Sequence, residues 1–332
     1  MIKICEPRRN RLEKILRKMP SVAEKTIRIA VKFLNKIRYK RYVFNNTQEA
    51  KRDIEKYFAT LKTSKNKYDS FTMFDNVEID IINRCNGTCS FCPVNKHIDP
   101  RPLARMSDDI FHKIIDNLAK LNYGGLLEYF SNNEPLLDNR IYDFIKYGVS
   151  RVPNAYHVLY TNGILLDSGK FQALAESGLN YLRIDNYNDD MELNPNIQKI
   201  YDEYKDKEFG LVCEIYIRLN NEVLSNRGGS APNKQKFKKP LDAPCFLPFR
   251  DFIIRADCGV SLCCNDALGK VTLGNVKEQT IEEIWYGQKR LDIIESMRKN
   301  LRKGIEICEG CDAFSTDKSF VRYKNSLKNA GK

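Results

Sequence analysis

Two spacings of apolar residues alternate along this chain. Val22, Ile27, Val31, Leu34 and Ile37 recur at roughly helical intervals, with Lys25, Arg28, Lys32, Lys36, Arg38, Lys40 and Arg41 between them. That pattern predicts one or two basic amphipathic helices over 22–43. A further helical stretch is expected over 47–61, and the polar, lysine-rich 62–70 reads as a linker. The plain expectation for the basic helices is a core contact through Ile27, Val31, Leu34 and Ile37 with a solvated charged face. The sharper one is attraction to an anionic partner, worth ~1 kcal/mol per basic residue at an anionic membrane surface.

Beyond residue 76, short strand-like runs alternate with helix-like ones. Strands are expected at 77–82, 126–130, 156–160, 181–184 and 211–219, and helices at 107–121, 138–149, 166–177 and 196–205. Ser107-Asp108-Asp109 is a helix start signal and Gly178 a stop. Alternation of this kind predicts an α/β fold, a parallel sheet or partial barrel with helices outside. Chemistry in such folds gathers at the C-terminal strand edge. Residues 224–244, with Gly228-Gly229 and several prolines and lysines, read as a linker. A hairpin follows, 252–255 with 260–263, then a helix over 281–301 and Cys308-Glu-Gly-Cys311. The division is therefore a basic helical extension (1–75), a central α/β domain (76–240) and a small cysteine-rich domain with a tail (241–332).

Composition narrows the function. The 332 residues are 42% hydrophobic and 30% charged, with 17 Phe and 17 Tyr, so disorder of the whole chain is excluded. No apolar run approaches the ~18 residues of a spanning helix, and Glu6, Pro7, Arg8 and Arg9 interrupt any signal-peptide core. Residues 1–50 carry a net charge of +10 and the remainder only +2. The basic pI thus describes one segment. Its aromatics, Phe33, Tyr39, Tyr42 and Phe44, make a thin stacking platform, and nucleic acid is not the expected partner. Eleven cysteines without a secretory signal argue against a disulfide scaffold.

Cys85, Cys89 and Cys92 stand directly after the first central strand. Three thiolates on one loop hold three irons of a [4Fe–4S] cluster and leave the fourth open. A structural zinc site wants four ligands, and His97 is the sole nearby candidate for the fourth. This Cys-x3-Cys-x2-Cys run, with Phe91 before its third cysteine, resembles the radical S-adenosylmethionine (SAM) superfamily over roughly residues 76–220. The resemblance implies a partial (β/α)6 TIM-type barrel in which the open iron chelates SAM. Reductive cleavage of SAM then yields a 5′-deoxyadenosyl radical that abstracts a substrate hydrogen. Ser131-Asn132-Asn133-Glu134-Pro135 lies where the family's Gly-Gly-Glu turn meets the SAM amino group, which assigns Asn133 and Glu134 to SAM. Asparagine tolerates positive φ, which would keep that turn. Thr161-Asn162-Gly163 looks like the family's ribose-contacting turn, against the alternative of a plain turn. Asp185 falls where the family places SAM- or substrate-facing groups. Arg218 suits the SAM carboxylate or a substrate oxygen, against the alternative of a solvated charge. Asp185 and Arg218 are the candidate catalytic residues.

The later cysteines resemble the twitch form of the SPASM domain. That resemblance implies a second, auxiliary [4Fe–4S] cluster on Cys245, Cys263, Cys308 and Cys311, with Gly274-Asn275-Val276 to Ile284-Trp285 matching a family run. A literal family spacing points to Cys264 instead. Cys263 is preferred because adjacent strand residues face opposite sides. Structural zinc is the alternative. Cys213 reads as a small core hydrophobe, or as a hydrogen-atom donor if it faces the barrel.

Two clusters with SAM imply oxidation of a sugar or cyclitol hydroxyl, the auxiliary cluster accepting the electron. The resemblance is to twitch-bearing aminocyclitol and sugar dehydrogenases. The small-molecule substrate can be phosphorylated or carrier-linked, and the reductant is expected to be flavodoxin- or ferredoxin-like. Peptide epimerisation or crosslinking is the alternative within the family. A non-catalytic iron–sulfur electron carrier is the alternative outside it. The expected location is the cytoplasm, with the basic segment offering attachment at a membrane surface.

Overall fold

The computed structural model describes residues 2–63 and 73–330. A nine-stranded sheet organises it, in the order β1-β6-β5-β4-β3-β2-β7-β8-β9. Its strands are β1 (Ile2–Cys5), β2 (Asn76–Ile79), β3 (Leu126–Glu128), β4 (Tyr156–Thr161), β5 (Tyr181–Tyr187), β6 (Val212–Arg218), β7 (Asp251–Ile254), β8 (Gly259–Ser261) and β9 (Thr272–Asn275). The strands from β1 to β7 in that order pair in parallel, and β8 and β9 add antiparallel. The helices are α1 (Arg8–Leu16), α2 (Ser21–Thr63), α3 (Asp108–Lys120), α4 (Ile141–Arg151), α5 (Ser168–Glu176), α6 (Pro195–Tyr204), α7 (Ile281–Trp285), α8 (Gln288–Arg298) and α9 (Asp317–Asn329).

Strand alternation sets the two faces. Val77, Ile79, Leu127, Leu159, Leu182 and Ile184 pack with Phe111, Phe144, Phe171 and Ile197 of the outer helices. The α3 helix shows why these elements form. Ser107 accepts the Ile110 N–H at its N-terminus, Asp108 and Asp109 occupy the first turn, and Phe111, Ile114, Ile115 and Leu118 fall on one buried face. Cap, charge and periodicity agree. On the opposite face, Leu126, Val158 and Tyr181 meet Phe320 and Leu327 of α9. Tyr323 of α9 donates to Glu128 and shares a hydrogen bond with Tyr160. The chain thus returns from the cysteine-rich region to pack inside the sheet's concavity. Glu78, Glu128 and Glu214 are buried on this inner face.

Several expectations need correction. The extension is not wholly helical, because Ile2–Cys5 pairs in parallel with β6, from Ile2 opposite Cys213 to Cys5 opposite Tyr216. Four residues are too few to show a period. The two expected N-terminal helices are one helix of 43 residues, since no Gly or Pro interrupts it. Its expected core stripe is largely outside, with Leu34 50% and Ile37 46% exposed. Ala50, Ile54 and Tyr57 are the residues of this helix that are buried. Tyr57 stands edge-on to Phe249 at 5.0 Å. The linker expected over 62–70 lies mostly outside the described residues.

The hairpin assigned to the small domain is part of the main sheet, because β7 pairs in parallel with β2. Residues 224–244 are tied down at Asn226. It donates to the Gly310 carbonyl at 2.7 Å, and its backbone N–H donates to Asp312 at 2.8 Å. The long helix expected over 281–301 breaks at Gly287, which caps α8. No helix among the described residues is long and apolar enough to cross a membrane.

Candidate active site and second cysteine centre

The first cysteine loop leaves the C-terminal end of β2 and folds on itself. Asn95 donates to the Cys89 and Cys92 carbonyls, both at 3.3 Å. The Lys96 N–H reaches the Gly87 carbonyl at 3.0 Å, and the Ser90 N–H reaches Asn220 at 2.9 Å. A Cβ at Gly87 would lie 3.3 Å from Cys85 Sγ and 3.9 Å from Cys89 Sγ. Glycine therefore keeps a cradle open between two thiols. Burial pushes the Cys85 and Cys89 thiols up to about 12. In the cluster-free chain they are protonated, and iron must displace those protons. His97 is exposed and adds no fourth ligand.

Glu134 joins the two cofactor turns. Its carboxylate accepts from Thr161 Oγ1 at 2.7 Å, the Asn162 N–H at 2.8 Å and the Leu136 N–H at 3.0 Å. Burial pushes its pKa up to about 7, against those hydrogen bonds. Asn162 then donates to Asn86 at 2.7 Å, and lies 3.7 Å from Cys85 Sγ. Gly163 has φ +71°, and a Cβ there would come within 2.9 Å of Ile197 and Ile184. The Thr161-Asn162-Gly163 turn is thus wired to the cysteine loop rather than being a plain turn. Neither Asn132 nor Asn133 has positive φ, so the turn survives without the left-handed backbone expected of it. Instead the Asn132 N–H donates to Asp80 at 3.0 Å. Asn133 Nδ2 is buried with no partner, a donor held out in the place expected to meet SAM.

Asp185 and Arg218 come together on β5 and β6. Arg218 donates to Asp185 at 3.3 Å and to Glu222 at 2.5 Å. Burial works against its charge, but Glu222, Tyr187 and Asp185 outweigh it and raise its pKa. A solvated surface charge is excluded. Asp185 also accepts from Arg183 at 2.8 Å. Phe91 is buried with its ring 6.0 Å from that of Tyr187.

Cys245, Cys263 and Cys308 share one buried cluster with Ile54 and Tyr57 of α2. Burial first, then the nearness of Cys264, Cys308, Cys245 and Cys311, raises the Cys263 thiol. Cys264 turns the other way. Its Sγ and carboxylate oxygens of Glu78 and Asp251 lie within 4.8 Å of one another. Cys258 has φ +70°, the left-handed conformation for which glycine is better suited. Cys213 packs with the outer helices, so it faces away from the chamber and is no hydrogen-atom donor.

Sequence reasoning missed several residues. Asp80 and Asn86 support the two turns by the hydrogen bonds above, and Arg101 donates to the Asn132 carbonyl at 3.2 Å. Arg227 bridges Asn132 at 3.1 Å and the Cys264 carbonyl at 3.0 Å, linking the two centres. Glu78, Glu128 and Asp251 form a buried acidic nest whose pKa values are all raised by burial. A carboxylate among apolar strand residues was the available signal. Both cofactor sites pass a test of fit. The first has a cradle that a Cβ would fill and an orphaned amide, and the second gathers four thiols in one place.

This barrel and its two cysteine centres define a radical SAM protein with an auxiliary iron–sulfur module. The radical SAM superfamily pattern matches residues 79–215 and the iron-sulfur cluster-binding SPASM domain matches 245–312, so the chain carries a radical SAM domain followed by a SPASM domain. It is similar to the S-adenosyl-L-methionine-dependent 2-deoxy-scyllo-inosamine dehydrogenase of Niallia circulans. Identity is 25% over 243 residues, 73% of this chain and 94% of that protein. The fold is similar to the crystal structure of BtrN in complex with AdoMet and 2-DOIA. There the TM-score is 0.62 at 25% identity, over 74% of this chain and 95% of that one. A shorter likeness links it to the PqqA peptide cyclase of Gluconobacter oxydans (strain 621H). This is 28% identical over 105 residues, 32% of this chain and 28% of that protein.

Proposed function

We propose that this protein is a radical SAM dehydrogenase that oxidises a hydroxyl of a sugar or cyclitol. The observation that carries the reading is the second centre. Cys245, Cys308 and Cys311 lie near Cys263 while the Cys264 thiol sits by Glu78 and Asp251, which supports a cluster there that would be fully ligated by protein. Full ligation suits electron acceptance and leaves no iron for substrate. The likeness to a dehydrogenase over 94% of its length supports the same reading. The peptide-cyclase likeness covers only 28% of that protein.

Cys85, Cys89 and Cys92 would hold the first cluster, and Cys245, Cys263, Cys308 and Cys311 the second. When bound, the first cluster with SAM would supply hydrogen-atom abstraction, and the second would supply a one-electron acceptor. The chain's own residues do the rest. Asn133 offers its free amide to SAM, and Glu134 locks the turns of Thr161 and Asn162 beside it. Arg218, charged between Asp185 and Glu222, orients an anionic or hydroxyl oxygen, with Phe91 and Tyr187 excluding water alongside. We assign the base that takes the hydroxyl proton to Asp185, the carboxylate held beside Arg218. A flavodoxin- or ferredoxin-like protein supplies the electron, and the cytoplasm keeps the thiols reduced.

The test is anaerobic turnover with candidate aminocyclitols and sugars, followed by mass spectrometry. A product lighter by two hydrogens is expected, with 5′-deoxyadenosine alongside. Replacing Cys308 and Cys311 by Ala is expected to abolish product while SAM cleavage continues. Product of unchanged mass, product surviving that double substitution, or zinc in the second centre overturns the reading.

A further inference from the structure

The α2 helix and residues 223–242 face each other across a cleft of 1730 Å³. Lys32, Lys36, Lys40 and Lys51 line it from the helix, and Lys234, Lys238 and Lys239 from the other wall. The acids lining it are Asp242 and Asp312. Asp312 is already paired with Lys234 at 2.6 Å, and Asp242 accepts from Asn300. Among the described residues the other six lysines have no ion-pair partner. Phe44, 80% exposed, and Phe237, 37% exposed, stand among them. Exposed aromatics within a charged rim have the anatomy of a protein interface.

The cleft adjoins the second cysteine centre through Asp312. Asp312 directly follows Cys311, and Tyr39 of α2 donates to the Asp312 carbonyl. The Phe237 N–H donates to the Gly310 carbonyl at 2.9 Å. Tyr42 packs edge-on against Phe314 at 5.8 Å. The helical wall lies outside both family matches, which begin at residue 79. It is an addition placed over the auxiliary cluster's loop.

We propose that this cleft docks a small acidic one-electron carrier protein, flavin- or iron–sulfur-bearing, which exchanges electrons with the cluster on the 308–311 loop. The proposal rests on the dehydrogenase reading, whose electron balance requires such a partner. Oxidising a carbinol to a carbonyl releases two electrons and two protons. One electron leaves with the hydrogen atom taken by the SAM-derived carbon radical. The other passes to the auxiliary cluster and must leave the protein. One electron must also enter to cleave each SAM. A carrier that delivers one and removes one closes the cycle, and SAM alone is consumed. A carboxylate-rich surface complements the six unpaired lysines, and attraction of this kind chiefly steers encounter. The concavity suits a protruding folded surface better than a flat membrane.

The experiment uses the full chain, anaerobically loaded with iron and sulfide, and FMN-bound flavodoxin as the probe. Calorimetry is expected to show binding that weakens as salt rises. The pairs Lys36→Glu with Lys40→Glu, and separately Lys238→Glu with Lys239→Glu, are each expected to weaken it roughly tenfold or more, as rim charges at a complementary interface do. Flavodoxin-driven product should fall in parallel, while dithionite-driven SAM cleavage stays unchanged. Unaltered affinity in both pairs overturns the proposal. So does tighter binding to anionic phosphatidylserine vesicles, to an acidic peptide or to polyuridine that the same substitutions abolish. Failure of dithionite-driven oxidation in the parent protein would instead strike the dehydrogenase reading, leaving the binding result to judge the cleft.

Discussion

Glu134 is spent on its neighbours. Both of its oxygens are committed to Thr161, Asn162 and Leu136, so the SAM-binding role proposed for it would act through the geometry of those turns. Replacing it with Gln puts an N–H₂ group where an oxygen now accepts. At about 1–3 kcal/mol for a buried group left unsatisfied, SAM affinity is expected to fall roughly tenfold or more, with iron content unchanged. Calorimetric titration of SAM into loaded Glu134→Gln checks this, and parental affinity would contradict it. The cysteines and Glu134-Pro135 were legible because their spacing is local. The contact from Asn162 to Asn86 was not, because it joins loops 76 positions apart. Arg227 was equally hidden, inside what reads as a linker.

At the scale of elements, α2 shows how periodicity misleads when a helix touches its domain along only part of its length. Ile27, Val31, Leu34 and Ile37 have helical spacing, yet the anchoring residues are Ala50, Ile54 and Tyr57. Tyr57 is fully buried, edge-on to Phe249 and hydrogen-bonded to Arg290. Arg290 is itself buried over the Trp285 ring at 3.3 Å and donates to the Pro248 carbonyl at 2.9 Å. Tyr57→Ala removes a large ring and one of the partners of that guanidinium. A loss of about 3–5 kcal/mol is expected, as for other aromatic truncations in a core. Denaturant unfolding of the loaded protein measures it. A loss below about 1 kcal/mol would mean that α2 is not anchored there. Helix α3 was readable because cap, first-turn charge and period coincide, whereas α4 and α6 lack a side-chain cap bond and were read from their period. The return of α9 into the concavity was not, since nothing local in the sequence names a distant partner.

For the whole molecule, the buried acids set the response to pH. Burial lifts Asp80, Glu134 and Asp251 to about 7 and Glu128 to about 8. In the folded state these groups keep protons that the unfolded chain has released above the ordinary carboxylate range. Between that range and about pH 8 the folded state therefore binds more protons, and stability falls as pH rises. Glu128→Gln removes one such group. The drop in melting temperature from pH 6 to pH 8 is expected to be smaller in this variant than in the parent. Equal drops would show that Glu128 titrates normally. The fold class was legible from the alternation of strands and helices, but the extent of the sheet was not. A four-residue edge strand and a hairpin displaced by some 170 residues from its neighbour carry no local mark of joining it.

The pairing of β7 with β2 has a consequence for how such proteins can be recombined. The seam between the two cysteine centres runs through a hydrogen-bonded ladder instead of a flexible joint. An exchange of auxiliary modules between relatives would cut that ladder if it crossed over ahead of β7. A crossover in the turn between β7 and β8 would leave the parallel ladder whole and ask only the two-stranded antiparallel edge to re-form. Because Cys245 lies ahead of β7, however, a crossover at the hairpin tip divides the four cysteines between the parents, so the module is expected to be inherited together with the sheet it joins.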